Sequence, residues 1–246
     1  MEDRIKMCFN QSSATYDTAC TIQQFSNMAL LKILLHYVDI NEPIHKIVDL
    51  GCGTGNSTQL LLETFKCQEL YGIDIAEQLL KIAETKLKTS AVKFIRSSFN
   101  HPLTLTSLDL AYANMSLHWA TSLENTLKVI HKALKERSFF SFSIPVLGTF
   151  NEIKSKHKNI FFPRETIESI IQQQSEFSLI STQKKTFIDK FSSPYQALKS
   201  IKNVGANILS QQQKKGLANK NLYANIFKEK DVFDLTYQVG FFILKK

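Results

Sequence analysis

Nowhere in the 246 residues is there an uncharged apolar run long enough to cross a bilayer, and the opening "MEDRIKMCFN" mixes charges without a continuous apolar stretch. A membrane span is therefore not expected, and a cytoplasmic location is the default. Cysteine is sparse: Cys8, Cys20, Cys52 and Cys67 include no C-x-x-C pair. That argues against a bound metal and against disulfides, and leaves each thiol as a small buried hydrophobe. Internal repeats and low-complexity linkers are missing too. So are two phosphate-binding signatures, G-x-x-x-x-G-K-[ST] and the dinucleotide pattern G-x-G-x-x-G. What is present is a chain 43% hydrophobic and 21% charged, an ordinary globular balance at a length that suits one α/β domain with an elaboration. The formal net charge of +8 favours an acidic partner without choosing among nucleic acid, a membrane surface and an acidic protein. Its basic residues are dispersed, and pairs such as Lys184-Lys185 and Lys214-Lys215 read as solvated faces.

Residues 1 to 40 carry apolar side chains at helical spacing in "FSNMALLKILLHYV", whereas "FNQSSATYDTAC" before it is a weaker pattern and reads as a flexible lead-in. Over 44 to 146 the pattern alternates. The apolar runs "KIVDL", "ELYGIDI", "VKFIRSS", "LDLAYAN" and "SFFSFSI" are separated by amphipathic segments such as "EQLLKIAETKLK" and "LENTLKVIHKALKE". That rhythm predicts βαβ units in a doubly wound, mostly parallel sheet, with ligands at the carboxyl ends of the strands. After Pro145 the rhythm fails. A helix "PRETIESIIQQQ", a strand-like "FSLISTQKKTFIDKF", a helix "SPYQALKSIKNVGANIL" and a polar helical stretch "QQQKKGLANKNLYANIFKEK" predict a mainly helical cap with a sixth strand over 147 to 230. The aromatic and branched residues of "DLTYQVGFFILKK" predict a final strand over 231 to 246.

The strand "KIVDL" ends in Asp49 and empties into Gly51, Gly53 and Gly55. Glycines there permit unusual backbone angles and let a ligand approach the main chain. Such a turn also serves purely structural ends. The next strand, however, ends in Asp74, about 20 residues on, the spacing at which an acid can take the ribose hydroxyls of an adenosine; the structural alternative for Asp74 is a helix N-cap. "VDLGCGTG" with Asp74 downstream resembles the first motif and following acid of class I S-adenosylmethionine-dependent methyltransferases, over residues 45 to 145. The resemblance implies a Rossmann-like class I methyltransferase fold. It implies S-adenosylmethionine as cofactor, with the glycine loop carrying its amino-acid portion and Asp74 its ribose. Asp49, Ile75 and Asn114 complete the implied set. Where many relatives place Gly-Asp against adenine, "FIRSSF" has Ser97 and Ser98; the Ser98 hydroxyl or a main-chain amide stands in, with Phe99 as an apolar contact. "ALKERSFF" likewise lacks the Pro-Gly-Gly common before the fifth strand.

At the fourth strand "LDLAYANMSLHW" lacks the Pro-Pro of nucleic-acid amino methyltransferases, which disfavours that class. His118 is a candidate base or a structural histidine, and Trp119 a substrate contact or ordinary core. "FNQSSATYD", "NMSLHW", "ALKSIKNVGAN" and "LTYQVGFFIL", in that order, are similar to the malonyl-acyl-carrier-protein O-methyltransferase family of early biotin synthesis, with Gln11 where relatives often have Arg or Lys. The resemblance implies displacement at the sulfonium methyl by the free carboxylate of a malonyl thioester. A carboxylate is already ionised at neutral pH, so alignment and exclusion of water matter more than a base. Lys199 and Lys202, at i and i+3 on a cap helix, are candidates for holding that carboxylate or the carrier's phosphopantetheine phosphate, or are simply exposed lysines. Tyr16 is the candidate for closing over the cofactor and donating a hydrogen bond near the reacting groups. Acyl carrier proteins are acidic, so the positive charge would steer docking. A monomer is expected, with neither nucleic acid nor membrane as partner. The alternatives are a carboxylate methyltransferase of the trans-aconitate type and a catalytically silent member acting through interactions.

Overall fold

The computed structural model describes residues 2–153, 161–174, 176–205 and 233–246. The chain begins with two helices, α1 (Glu2–Ala19) and α2 (Thr21–Leu34). It then alternates β1 (Lys46–Leu50), α3 (Asn56–Thr64), β2 (Glu69–Asp74), α4 (Glu77–Lys86), β3 (Val92–Arg96), β4 (Leu108–Asn114), α5 (Leu123–Ala133) and β5 (Leu134–Pro145). All five apolar runs expected as strands are strands. α6 (Arg164–Gln174), β6 (Ser178–Asp189), α7 (Pro194–Asn203) and β7 (Leu235–Lys245) follow.

The seven strands form one sheet in the order β3-β2-β1-β4-β5-β7-β6. β1 to β5 pair in parallel, while β7 runs antiparallel between β5 and β6. The central strands are apolar because helices cover both of their faces. Val48, Leu50, Ala111 and Ala113 pack into one core with Leu127 and Ile130 of α5 and Ile167 and Ile171 of α6. Ile47, Leu110 and Tyr112 point the other way, into a core with Leu30 and Leu34 of α2, Leu61 of α3 and Ile201 of α7. Each buried Val, Leu or Ile side chain among these contributes about 2 kcal/mol of transfer free energy. Strand order reverses between β1 and β4, and a doubly wound sheet opens its ligand crevice at the carboxyl ends beside such a reversal.

Three expectations change in detail. "FNQSSATYDTAC" is not a loose lead-in but the continuation of α1, which stays helical because its polar side chains are bound by the loops beneath it, as described below. The helix expected to run on through "LKE" stops at Ala133. Lys246, at the end of β7, donates its ammonium to the carbonyls of His131 (3.0 Å) and Leu134 (2.9 Å), an end contact that no local pattern announces. After β5, the described residues give α6 and α7, one on each face, with β6 between them as the edge strand of the main sheet. The polar helical stretch 211–230, and Ala206 and Asn207 of the α7 segment, lie outside the described residues.

Candidate active site

β1 delivers the chain to a turn built on the carboxyl edge of the sheet. The amides of Gly51 and Cys52 both donate to the Ile73 carbonyl of β2 (2.7 and 3.1 Å), pulling the turn across toward the neighbouring strand. Gly51 sits at φ 73°, and a Cβ there would lie 2.4 Å from Cβ of Ser116. Only glycine fits both the left-handed backbone and that approach. Gly53 (φ 56°) would place a Cβ 3.7 Å from the Tyr16 hydroxyl, and Gly55 (φ 83°) begins α3.

Asp49 lies under the turn rather than at its surface. It is fully buried, and one carboxylate oxygen accepts from the hydroxyls of Ser57 (2.6 Å) and Thr58 (2.7 Å), fastening the first turn of α3 to β1. The other oxygen has no partner among the described residues. Burial pushes the carboxyl up to about 6, against the opposing effect of the two hydroxyls. Asp74, at the end of β2, accepts from the amide of Gly53 (2.9 Å) on one oxygen and that of Ala76 (2.8 Å) on the other. Burial raises its pKa and these amides counter it. Each oxygen keeps acceptor capacity for a further donor such as a hydroxyl. Ile75, beside it, is half-buried.

α1 lies over this turn and is tied to three of the strand ends. Near its C-terminal end Asp17 accepts from the hydroxyl of Thr54 (2.5 Å) and the amide of Asn56 (3.2 Å), and pairs with Lys86 of α4 (2.6 Å). In its middle the Asn10 side-chain oxygen accepts from the Gln78 amide at the start of α4 (3.0 Å), and at its beginning Glu2 accepts from Asn100 after β3 (3.2 Å). This fastening puts Tyr16 on the glycine turn. Burial, then the proximity of Cys20 and Asp74, pushes the Tyr16 phenol well above its usual value, so it remains an O–H donor. Asp17 is driven up by burial but held below the usual carboxylate range by Lys86, Thr54 and Asn56, so it stays ionised.

The end of β4 closes the opposite side. The Asn114 amide donates to the Gln23 carbonyl (2.9 Å) and its oxygen accepts from the Ser143 hydroxyl (2.8 Å), so this side chain locks β4 to α2 and β5. Met115 turns in the left-handed region (φ 52°), bringing the Ser116 hydroxyl to donate to the Leu50 carbonyl (2.7 Å) at the base of the glycine turn. A single 3-10 turn, Leu117–Trp119, follows. Trp119 meets the ring of Phe9 from α1 edge-on (5.9 Å) and lies 4.5 Å from the ring of His118. Burial holds His118 neutral, its pKa lowered to about 3, and its Nδ1 has no partner among the described residues. A neutral imidazole at pH 7 does not act as a titrating switch here.

The remaining candidates are placed less centrally. The Ser98 hydroxyl accepts from the Asn100 amide (3.1 Å), capping the turn after β3, and the Phe99 ring comes within 3.8 Å of a Cβ built on Gly51. Lys199 and Lys202 are exposed on α7; Lys199 lies over the Tyr195 ring (5.8 Å), and neither lysine is brought onto the glycine turn. Missed from the sequence are Asp17, Thr54, Lys86 and Ser116. Asp17 follows Tyr16 directly, but its partners are 37 to 69 positions away, and nothing local signals them.

The result is a crevice closed over by α1: its floor is the turn backbone, buried from Cys52 to Gly55, ringed by the carboxylates Asp17 and Asp74 with Asp49 beneath, and roofed by Tyr16 and Phe9. That electrostatic setting suits a cationic ligand carrying vicinal hydroxyls. Residues 48–142 match the family model described as a methyltransferase domain. The chain is 39% identical to malonyl-[acyl-carrier protein] O-methyltransferase 2 of Coxiella burnetii, over 100% of this chain and 97% of that protein. It is 25% identical to a biotin biosynthesis bifunctional protein of Saccharophagus degradans, covering 99% of this chain and 46% of that one. Among solved structures, a methyltransferase-fold protein from Bacillus halodurans superposes with a TM-score of 0.64 at 10% identity, over 88% of this chain and 98% of its own, which speaks to the fold.

Proposed function

This chain belongs to the malonyl-acyl-carrier-protein O-methyltransferase family, and from that premise we propose that it methylates the free carboxylate of malonyl-acyl carrier protein with S-adenosylmethionine, the malonyl methyl ester entering biotin synthesis. The observation that carries the proposal is the similarity along the whole chain, 39% over all of it, taking in α1 and the segments after β5 as well as the glycine turn.

The residues present fit the cofactor. S-adenosylmethionine, when bound, supplies an electrophilic methyl group on a sulfonium centre, and it also carries an ammonium group and a ribose diol. Gly51, Gly53 and Gly55 hold the turn in left-handed conformations beneath Tyr16, where the cofactor's amino-acid portion would lie. Asp74 offers the acceptor lone pairs a diol requires, and Phe99 an apolar surface. Asp49 and Asn114 act one layer back, by fixing the turn and the β4 end, and Ser98 fixes the turn after β3. The acids around the crevice favour positive charge.

The attacking malonyl carboxylate is ionised at neutral pH, so the chain has no proton to remove. This agrees with the state of the two candidate acid-base groups beside the crevice, Tyr16 and His118. Tyr16 keeps its proton and His118 stays neutral over the physiological range. We assign Tyr16 to donate a hydrogen bond that orients the carboxylate, and His118, with Trp119 and Phe9, to line the apolar wall that excludes water. A carboxylate stripped of water is a stronger nucleophile, and the closed aromatic roof serves that end. Held in line, the reaction needs orientation rather than acid-base chemistry. We further read the protein as a cytoplasmic monomer that binds neither nucleic acid nor membrane; among the described residues no helix is long and apolar enough to cross a membrane.

The test is transfer of radiolabelled methyl to malonyl-acyl carrier protein, with acetyl-acyl carrier protein and bulk RNA in parallel. Label on the malonyl form alone, released by mild base as an ester is, is the expected result. Absence of label from the malonyl form while the cofactor binds normally overturns the assignment of substrate.

A further inference from the structure

Among the described residues, six lysines, Lys46, Lys81, Lys86, Lys93, Lys135 and Lys246, stand in ion pairs. The stretch from β6 through α7, residues 178–205, holds five more, Lys184, Lys185, Lys190, Lys199 and Lys202, against a single acid, Asp189. None of the five makes an ion pair among the described residues. Lys184 faces α6, where it acts on Glu165. Lys185 faces the other way, over the ring of Phe241 (5.9 Å) in the core shared by α2 and α7.

That second face also carries exposed aromatic surface. Phe25 of α2, 52% exposed, stacks on Phe187 of β6 (6.5 Å, 7° between planes), and Tyr195 of α7 is 53% exposed beneath Lys199. Unpaired lysines around exposed rings suit a partner whose surface is acidic at its rim and apolar at its centre. The same face leads to the crevice. The C-terminal end of α7 abuts α1: the Thr15 hydroxyl donates to the Asn203 carbonyl (3.2 Å), and a Cβ on Gly205 would meet the Phe9 ring at 2.6 Å. Phe9 and Tyr16 are neighbours on the roof (6.5 Å). Lys202 is thus one residue from the seam between α7 and the helix that covers the glycine turn.

We propose that Lys185, Lys199 and Lys202, with Phe25 and Tyr195, form the docking face for the acidic surface of the acyl carrier protein, and that its tethered malonyl group enters at the seam between α7 and α1. This rests on the proposed substrate. It assigns the two α7 lysines to the carrier rather than to the reacting carboxylate. Charges at a docking rim act on encounter, so their loss raises KM and leaves the step after docking alone.

The experiment compares two charge reversals of equal size in the full chain. One is Lys199→Glu with Lys202→Glu. The other is Lys128→Glu with Lys132→Glu, on α5 across the sheet, exposed and equally basic. With malonyl-acyl carrier protein as varied substrate at low salt, the α7 pair is expected to raise KM about tenfold or more and to flatten its salt dependence. kcat at saturation and S-adenosylmethionine affinity stay as in the parent, and the α5 pair stays within about twofold. Equal effects of the two pairs would reduce the face to general net charge and overturn the proposal, as would an unchanged KM in the α7 pair or a fall in its kcat alone. A parent protein that does not methylate the malonyl carrier at all refutes the substrate assignment instead, so the two failures are distinguishable.

Discussion

Replacing Asp17 by alanine should loosen the roof of the active site without dissolving the fold. The substitution removes the acceptor for the Thr54 hydroxyl, the Asn56 amide and the Lys86 ammonium at one stroke. The Lys86 pair is about a third exposed at each partner, so solvent screening leaves it at most about 1 kcal/mol. The short hydrogen bond from Thr54 to a carboxylate adds about 1 kcal/mol after water replaces part of it. Together about 1.5 to 2 kcal/mol of closure is lost, and at 1.4 kcal/mol per decade the dissociation constant for S-adenosylmethionine should rise roughly 10- to 30-fold. Calorimetric titration of cofactor and a stopped-flow displacement rate read this, with most of the change in dissociation. Lys86→Met should give only the smaller part. The Asp17 carboxyl is held below its usual range, so its contribution is fully present above about pH 4 and fades only as pH falls through the lowered value. Affinity should therefore show no Asp17-dependent change between pH 6 and 8. An alanine variant with parental affinity and dissociation rate would refute the view that α1 is fastened through this residue.

Gly51→Ala forces a left-handed alanine against Ser116, and is expected to cost about 2 to 4 kcal/mol and abolish cofactor binding; adding Ser116→Gly should recover about half of the lost melting temperature, since only the clash and not the backbone penalty is relieved. Asp49, raised to about 6 by burial, prefers its proton in the folded state, so its contribution to stability grows as pH falls from about 6.5 to 4 and is lost as pH rises through 6, by up to about 3 kcal/mol. Denaturant titrations at pH 4.5 and 7.5 span about 2 kcal/mol of that difference, which should be seen in the parent and disappear in Asp49→Asn; an identical pH response in both would discard the assignment. Tyr16→Phe should lower kcat roughly 10- to 100-fold with little change in cofactor affinity, and the pH profile of kcat should be flat from about 7 to 8.5, above the range in which Asp49 titrates, in parent and in His118→Asn alike. A limb near pH 6.5 that vanishes in His118→Asn would reinstate a base.

The sequence by itself determined the scaffold of this protein. Alternating apolar runs and amphipathic segments specify a parallel sheet wherever strands are buried on both faces, because burial acts on each strand regardless of its neighbours in sequence. The glycine turn after β1 and the acid at the end of β2 were legible for the same reason: a left-handed backbone and a close approach demand glycine at a fixed offset from the strand. What only the tertiary structure decided is which side chains meet across the chain. It put Asp49 beneath the turn, gave Asn114 to α2 and β5, and turned "FNQSSATYD" from an apparent lead-in into the helix that roofs the crevice. It also left Lys199 and Lys202 exposed on α7. Hydrogen bonds between residues tens of positions apart leave no period in the sequence. They form because folding brings polar groups out of water together and each then requires a partner, so Asp17 with Thr54, Asn56 and Lys86 exists as a unit only once α1 lies across the strand ends.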